Sequence, residues 1–231
     1  MRAALTLLLF GFCWSSSSRA EEPDPNLIRE VSAVRAELAR NKAALGQYTW
    51  TALIEVSVKG DLKSSEAYKC RYDRNGQVLR TLAKTDKEMD TASGVSKRRR
   101  VRSKSEMQDY IERAITRIYQ YVPPNPEQID VLLKSGHATM GPSSGGTSEV
   151  RFTNYFEKGD TLAFTYDSAS KVLLRVRVAS TLGSPKDPVT LEAAFETLPE
   201  GVNHMSSAIL NATAKKVEVK IKNATYEKVT N

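Results

Sequence analysis

Side chains that could carry out chemistry are few in this sequence. It contains two histidines, His137 and His204, and neither has a second ligand at the spacing of a zinc site. It has no Gly-x-Ser-x-Gly segment, the pattern that presents the nucleophile in many hydrolases. The glycine- and serine-rich segment 141–146 lacks the Lys-Ser/Thr ending of a phosphate-binding loop. We therefore predict no catalytic residue, no metal site and no cofactor, and we interpret both histidines as surface or helix-cap residues.

The N-terminal segment has the pattern of a secretory signal peptide. Arg2 precedes the apolar run 3–14, and Ser18-Arg19-Ala20 fits the small-x-small cleavage rule. About a dozen apolar residues are too few to span a bilayer. We therefore predict a signal peptide at residues 1–20, cleavage after Ala20 and a periplasmic location.

Cleavage at this point decides which cysteines remain. Cys13 follows Phe12, where a lipoprotein signal requires a small residue, so lipidation is the less favoured alternative. Loss of Cys13 leaves Cys70 alone, which excludes an intramolecular disulfide and makes the core responsible for stability. Cys70 alternates in phase with Tyr68 and Tyr72, and we predict that it is buried as a small apolar side chain.

The elements that must position these residues are mainly strands. In segment 47–59 apolar and polar residues alternate almost without exception, which predicts a strand with one apolar and one polar face. The same alternation recurs along the chain and predicts eight or nine strands separated by turn signals. The other segments are 65–74, 78–83, 149–156, 161–166, 172–179, 189–196, 204–210 and 217–222.

Helical spacing of apolar residues predicts three helices. The first follows Asp24 and Pro25, the second begins at a capping box at Ser105, and the third lies between Pro126 and Gly136. Helices grouped in two places argue against alternating βαβ units. We predict an α+β fold, in which helices pack on the concave face of a curved antiparallel β-sheet (a half-closed barrel). A single domain, residues 21–231, contains the helical insert at about 105–136.

A basic segment lies within the polar stretch 84–104, which we predict to be a loop. Its cationic side chains include Arg98, Arg99, Arg100 and Arg102. The net charge of +7 falls to +5 when Arg2 and Arg19 leave with the signal peptide, so the excess is mild. The segment is a solvated loop or a contact for lipid head groups or a protein partner. We expect no nucleic-acid partner, because the protein is exported and no aromatic residues interleave the basic ones.

The apolar faces leave two interpretations, a filled core or an apolar hollow beneath a helical lid. A curved sheet around helices favours the hollow, because open barrels often hold ligands. The residues predicted to line it, and to bind a ligand, are Trp50, Ile54, Val56, Ile111, Ile115, Ile118, Phe164, Leu174, Val176, Leu191, Phe195, Val219 and Ile221.

Several short segments resemble those of an uncharacterised family of exported bacterial proteins. They are Gln47-Tyr48-Thr49-Trp50, Tyr72-Asp73-Arg74-Asn75-Gly76, Tyr121-Val122-Pro123-Pro124, Pro142-Ser143-Ser144-Gly145-Gly146 and the segment 211–216. The order of elements resembles the periplasmic outer-membrane-lipoprotein carriers (a LolA-like fold). This resemblance implies a half-closed antiparallel barrel that is capped by helices and binds acyl chains. No functional residue of the carriers can be placed on this sequence.

Together these observations predict a monomeric, non-enzymatic periplasmic protein. It binds a lipid or the acyl chain of a lipidated protein in the apolar hollow, and it contacts the membrane surface. The alternative is an envelope scaffold or sensor module that binds a protein partner through the basic segment or a sheet edge. A hydrolase would require a polar cluster that converges only in three dimensions.

Overall fold

The computed structural model describes residues 24–86 and 97–229, and it describes the side chains of residues 24–83 and 105–229. The predicted signal peptide and its cleavage site lie outside these residues. Ten strands are described, and they form one antiparallel sheet in the order β3-β2-β1-β10-β9-β8-β7-β6-β5-β4. Their bounds are β1 (Tyr48–Val58), β2 (Asp61–Tyr72), β3 (Val78–Asp86), β4 (Ala138–Met140), β5 (Thr147–Thr153), β6 (Thr161–Asp167), β7 (Leu173–Thr181), β8 (Pro188–Thr197), β9 (Asn203–Ala212) and β10 (Val217–Lys228).

This order confirms the predicted curved antiparallel sheet and leaves it open. Among the described strands, β3 and β4 are the two edges and do not pair with each other. The extra strand relative to the prediction is β4, whose three residues are too few to show alternation. β1 pairs with β10, so the first and the last of the described strands are neighbours in the sheet.

Three helices accompany the sheet: α1 (Pro25–Leu45), α2 (Lys97–Tyr121) and α3 (Pro126–Lys134). The Asp24 carboxylate accepts a hydrogen bond from the backbone N–H of Asn26 at 2.9 Å and caps α1. The Asn125 side chain caps α3 in the same way, accepting from the N–H of Glu127 at 3.0 Å. Each cap satisfies an N–H group that the helix itself cannot pair, which fixes where the helix begins.

The start of α2 differs from the prediction. The helix begins at Lys97 rather than at Ser105, so the basic segment is helical and its interpretation as a loop is wrong. Lysine and arginine are good helix formers, and neither glycine nor proline interrupts residues 97–122. A capping box marks a place where a helix can begin, and here the preceding residues extend it.

The C-terminal end of α2 is fixed by a buried polar cluster. The Tyr121 hydroxyl donates to the Asp160 carboxylate and lies 3.0 Å from the Ser180 hydroxyl. The same carboxylate accepts from the backbone N–H groups of Tyr155, Phe156 and Glu157. Because a buried carboxylate is costly unless its oxygens are satisfied, this cluster stabilises one position of the helix against the sheet.

The inner face of the sheet and the inner faces of the helices form one core. Most residues that we predicted to line a hollow are buried there, and Ile111 is partly buried at its border. The buried ones are Trp50, Ile54, Val56, Ile115, Ile118, Phe164, Val176, Leu191, Phe195, Val219 and Ile221.

Leu174 is the exception, and its predicted place on the inner face is wrong. Its side chain is 37% exposed, whereas the neighbouring Leu173 is buried. The β6–β7 register pairs Thr165 with Arg175 but Tyr166 with Leu173, so Leu174 is an extra residue in a β-bulge. A bulge shifts the alternation by one residue, which turns Leu174 outward and Leu173 inward.

Candidate functional site

Contact between helices and sheet fills most of the predicted hollow. A cavity of about 30 Å³ remains at one end of the core, with room for about one or two water molecules. It lies where β1 and β9 begin and where β2, β8 and β10 end, beneath the last turns of α1. Its lining is Leu38, Asn41, Lys42, Leu45, Trp50, Tyr72, Val78, Tyr119, Val122, Pro123, Pro124, Phe195, Asn203, His204, Met205, Asn223 and Tyr226.

Only Trp50 and Phe195 belong both to this lining and to the residues predicted from the sequence. Of the other predicted residues, Leu174 faces outward, and the rest belong to the core or lie at its border. The alternation of apolar and polar residues predicts which face of a strand is buried. It does not predict which end of the strand lies beside a cavity. That the predicted residues bind a ligand remains a prediction.

Aromatic side chains form one wall of the cavity. The ring of Trp50 stacks on that of Tyr226 at 5.6 Å between centroids, with 12° between the planes. Tyr72 lies against the same indole at 5.0 Å, and His204 meets the Tyr226 ring edge-on at 4.2 Å. Aromatic groups in such arrangements attract each other beyond the gain from burial alone.

A bulge in β10 brings Tyr226 into this wall. Thr225 and Tyr226 together lie opposite the single residue Trp50, because the pairing of Thr51 with Ala224 is followed by that of Thr49 with Glu227. Thr225 has a φ of 54°, in the left-handed region that few non-glycine residues adopt. The bulge shifts the alternation, so both Asn223 and Tyr226 line the cavity.

The cavity also collects polar atoms without a partner. Within the described part of the chain, five buried side-chain nitrogen or oxygen atoms form no hydrogen bond, and four of them belong to cavity residues. The four are Trp50 Nε1, Tyr119 Oη, His204 Nδ1 and Asn223 Oδ1. Buried polar atoms are normally paired, so this concentration distinguishes the cavity from the rest of the core.

Neighbouring hydrogen bonds fix what these atoms can accept or donate. Asn223 donates through Nδ2 to the carbonyl oxygen of Met205 at 3.0 Å, which leaves Oδ1 as a free acceptor. The Tyr226 hydroxyl donates to the same carbonyl at 3.1 Å. Trp50 Nε1–H can only donate. The residues that line the cavity therefore include an unpaired donor on β1 and an unpaired acceptor on the adjacent strand β10.

His204 is a neutral member of this lining at neutral pH. Burial lowers the pKa of its imidazole below the usual 6.5, and Glu196 opposes that shift only in part. The interpretation of His204 as a surface residue is wrong, because it is buried on β9. His137, by contrast, is half-buried after α3 and hydrogen-bonds the Thr153 hydroxyl at 3.2 Å.

Helix α1 covers the cavity and is tied to the sheet by polar contacts near both of its ends. Near its C-terminal end, Asn41 forms two hydrogen bonds with the backbone of Asn203. Near its N-terminal end, the Glu30 carboxylate accepts from Lys171 Nζ at 2.6 Å and from the Tyr166 hydroxyl at 3.3 Å. The lysine contact is the main reason that the pKa of Glu30 is lowered.

Cys70 is buried, as predicted, and burial raises the pKa of its thiol to about 11, so it is not a thiolate at neutral pH. Within residues 24–86 and 97–229, no cluster of three or more His, Cys, Asp or Glu side chains could hold a metal ion. None of the helices among those residues is long and apolar enough to cross a membrane.

The predicted contact residues Arg98, Arg99, Arg100 and Arg102 lie in the first turns of α2. Their side chains are outside the described ones, so their contact with a partner or head group remains a prediction.

Comparisons with known proteins find similar structures but no matching sequence family. No family model and no curated protein matches the chain. A DUF1329 family protein from Desulfovibrio piger is 9% identical, with a TM-score of 0.46 over 89% of this chain and 94% of that one. A LolA superfamily protein from Nitrosomonas europaea is 8% identical, with a TM-score of 0.44 over 85% and 94%. A domain named for outer membrane lipoprotein sorting, from Vibrio parahaemolyticus, is 9% identical, with a TM-score of 0.46 over 84% and 92%.

Two of these three carry names of the superfamily that the sequence resembles.

Proposed function

We propose that this is an exported, non-enzymatic protein that binds a lipid or the acyl chain of a lipidated protein between α1 and the sheet. The observation that carries the proposal is the cavity itself, which joins an apolar aromatic wall to unpaired polar atoms. A cavity of this composition suits an amphiphile, whose chain lies on the apolar surface and whose head group meets the polar atoms.

An acyl chain needs more room than the cavity now has. Pockets for small ligands typically enclose about 300–1,000 Å³, against about 30 Å³ here. We propose that α1 moves away from the sheet to admit the chain. The movement exposes the apolar stripe of α1, formed by Leu27, Val31, Val34, Leu38 and Leu45. A bound chain covers this stripe and the sheet again, which offsets the cost at about 25 cal/mol for each Å² re-buried.

The direct test is native mass spectrometry of the full-length chain, expressed with its leader and purified from the cell envelope. We expect a bound lipid that organic extraction removes, and uptake of a fluorescent fatty acid by the extracted protein. A mass equal to the polypeptide alone, together with no uptake of the fatty acid, contradicts the proposal.

Two adjacent substitutions separate ligand binding from stability. Val78 is partly buried and lines the cavity, whereas Leu79 is 43% exposed on β3. Val78→Trp should fill the cavity and abolish fatty-acid uptake. Leu79→Trp adds the same side chain to the same strand and should leave uptake unchanged. Equal uptake by the two variants would place the ligand elsewhere.

A second candidate function, binding of an envelope partner, is favoured by the start of α2. Helix N-termini attract negative charge, yet the first turn of α2 contains no acidic residue and begins a run of arginines. An anionic surface on a protein partner would relieve this mismatch. Replacing Arg98, Arg99 and Arg100 by serine should then remove captured partners and leave fatty-acid uptake intact.

The control removes equal charge from another surface. Lys63, Arg71 and Arg74 are exposed on or next to β2, and their replacement by serine should retain the partners. Loss of partners in both triple variants would indicate attraction by net charge alone.

A further inference from the structure

The unpaired atoms of the cavity restrict the head group that it can recognise. Trp50 Nε1–H supplies only a donor, and Asn223 Oδ1 supplies only an acceptor. A head group that satisfies both must itself accept and donate. An ester accepts only, and so does an ionised carboxylate, while an ammonium group donates only. A carboxamide and a hydroxyl can do both.

The charge around the cavity also argues for a neutral head group. Among the described residues that line it, Lys42 alone has a side chain that is charged at neutral pH, and Lys42 is exposed at the rim. Trp50, His204 and Asn223 are 3%, 7% and 8% exposed, so a ligand that reaches them leaves water. An ion loses far more hydration there than a neutral group does, and the one charge among the described lining residues that could compensate an anion, Lys42, is exposed at the rim.

The separation between the donor and the acceptor favours the carboxamide over the hydroxyl. The indole of Trp50 and the ring of Tyr226 stack on each other, and Trp50 Nε1 and Asn223 Oδ1 belong to different strands. A carboxamide is planar, and its carbonyl oxygen and N–H point in different directions. Its two polar ends can thus meet a donor on β1 and an acceptor on β10, since Trp50 and Asn223 lie within two residue positions across that strand pair. A hydroxyl combines both roles at a single atom.

We propose that the cavity recognises a neutral carboxamide at the head of its ligand, as in a fatty amide or an N-acylated lipid or peptide. The proposal rests on the proposed function, since the acyl chain supplies the apolar part of the same ligand. The amide oxygen accepts from Trp50 Nε1–H, and the amide N–H donates to Asn223 Oδ1. Tyr119 Oη and His204 Nδ1 remain for other polar atoms of the head group.

A matched pair of ligands tests the amide directly. N-methyllauramide and methyl laurate differ only in the N–H that replaces the ester oxygen. We measure their displacement of a fluorescent fatty acid from the purified protein. The amide should bind at least about tenfold more tightly, which is the change expected for one hydrogen bond to a buried group. Equal affinities overturn the carboxamide proposal and leave acyl binding intact.

Variants assign the two hydrogen bonds. In Asn223→Leu the affinities of the amide and the ester should converge, because the acceptor for the N–H is lost. In Trp50→Phe both should bind about tenfold more weakly, and their ratio should persist. Trp50→Phe keeps an aromatic ring in the wall, so it remains informative if Asn223→Leu does not fold. An unchanged ratio in Asn223→Leu, or unchanged affinities in Trp50→Phe, contradicts this assignment.

A ligand without a chain distinguishes failure of this proposal from failure of the proposed function. N-methylpropionamide should shift the indole N–H resonance of Trp50, which is assigned from its loss in Trp50→Phe. A shift with no fatty-acid binding supports the amide site, as for a peptide amide, and rejects acyl binding. Tighter binding of N-methyllauramide than of N-methylpropionamide indicates that the amide belongs to a ligand with an acyl chain. No shift together with no fatty-acid binding rejects both proposals.

Discussion

Asn41 and Asn203 hydrogen-bond each other in both directions. Asn41 Nδ2 donates to the carbonyl oxygen of Asn203 at 2.5 Å, and the N–H of Asn203 donates to Asn41 Oδ1 at 2.7 Å. The Asn203 side chain in turn donates to the carbonyl oxygens of Leu173 and Glu196. One asparagine of α1 is thus connected through one residue of β9 to two further strands at the edge of the cavity.

Asn41→Ala should weaken this connection. It leaves the N–H and the carbonyl of Asn203 without their partner, and we expect the free energy of unfolding to fall by about 1–3 kcal/mol. If α1 is the element that moves, uptake of a fluorescent fatty acid should also become faster. Chemical denaturation and stopped-flow fluorescence measure the two effects. Ser32→Ala, on the exposed face of the same helix, should change neither, and an unaltered uptake rate in Asn41→Ala would argue against movement of α1.

Glu30→Gln should reveal how the other end of α1 is held. The pKa of Glu30 is lowered chiefly by its contact with Lys171, so the pair stabilises the fold above about pH 4.5 and loses this effect as acid protonates the carboxylate. We expect the variant to be less stable by up to about 1 kcal/mol at neutral pH. The difference from the unmodified protein should disappear in acid. The measurement is urea denaturation across pH.

Glu37→Gln is the matched control for that experiment. Glu37 pairs with Arg40 within α1, three residues away, and the pair does not reach the sheet. It should leave the rate of ligand uptake unchanged, whereas Glu30→Gln should raise it. Identical uptake rates in the two variants would exclude the Glu30–Lys171 contact from control of α1.

His204 should make stability depend on pH below about 6.5. Burial lowers the pKa of this imidazole in the folded protein, so on acidification the unfolded chain takes up a proton first. The free energy of unfolding is then constant above about pH 6.5 and falls as pH is lowered through that value towards the folded-state pKa. Glu196 on β8 is the charged neighbour that opposes the shift, and the Tyr226 ring on β10 is uncharged at these pH values.

His204→Phe should remove the pH dependence of the free energy of unfolding between about pH 6.5 and the lower pH range where carboxylates titrate. The phenyl ring retains an aromatic edge toward Tyr226, so the comparison isolates the proton. His137→Gln, at the half-buried histidine after α3, should retain the full dependence. Thermal unfolding across pH measures it, and a persistent slope in His204→Phe would assign the proton uptake to another group.

The bulge in β7 allows a comparison of two adjacent leucines. Leu173 is buried and Leu174 is outward. Leu173→Ala should lower the free energy of unfolding by about 2–5 kcal/mol, as expected when a cavity forms in a core. Leu174→Ala should change it by no more than about 0.5 kcal/mol, as for most surface substitutions. Reversal of this order, measured by urea denaturation, would show that the strand has the register predicted from the sequence.

Strand faces and helix starts were largely predictable because the signals are local. The alternation in β1 follows from its own residues, and Asp24 caps α1 with its own side chain. The bulges at Leu174 and at Thr225 were not predictable, since an extra residue is defined only against the partner strand. The unpredicted bulge at Leu174 led to the wrong placement of that side chain. At Thr225 it concealed Tyr226, which has the opposite parity to Val219 and Ile221.

The cavity shows a second limit of sequence patterns. Asn223 continues the inward parity of β10, and that signal could have identified it as a buried polar residue. His204 gives no such sign at the start of a weakly alternating strand. Trp50, Tyr72, His204 and Tyr226 meet because four strand ends converge in space, and no spacing along the chain records that convergence.

Among the described strands, the edges of β3 and β4 are unpaired, so the sheet is a curved sector and not a closed barrel. A closed β-barrel with a given number of strands and a given stagger has a fixed interior diameter, so it selects ligands by their width. An open sheet has no such constraint. Small changes in the twist between adjacent strands alter its radius of curvature, while each strand keeps its hydrogen-bonded neighbours. Under the proposed function we therefore expect one scaffold to accept acyl chains of different width, and the polar atoms of the cavity to discriminate among their head groups.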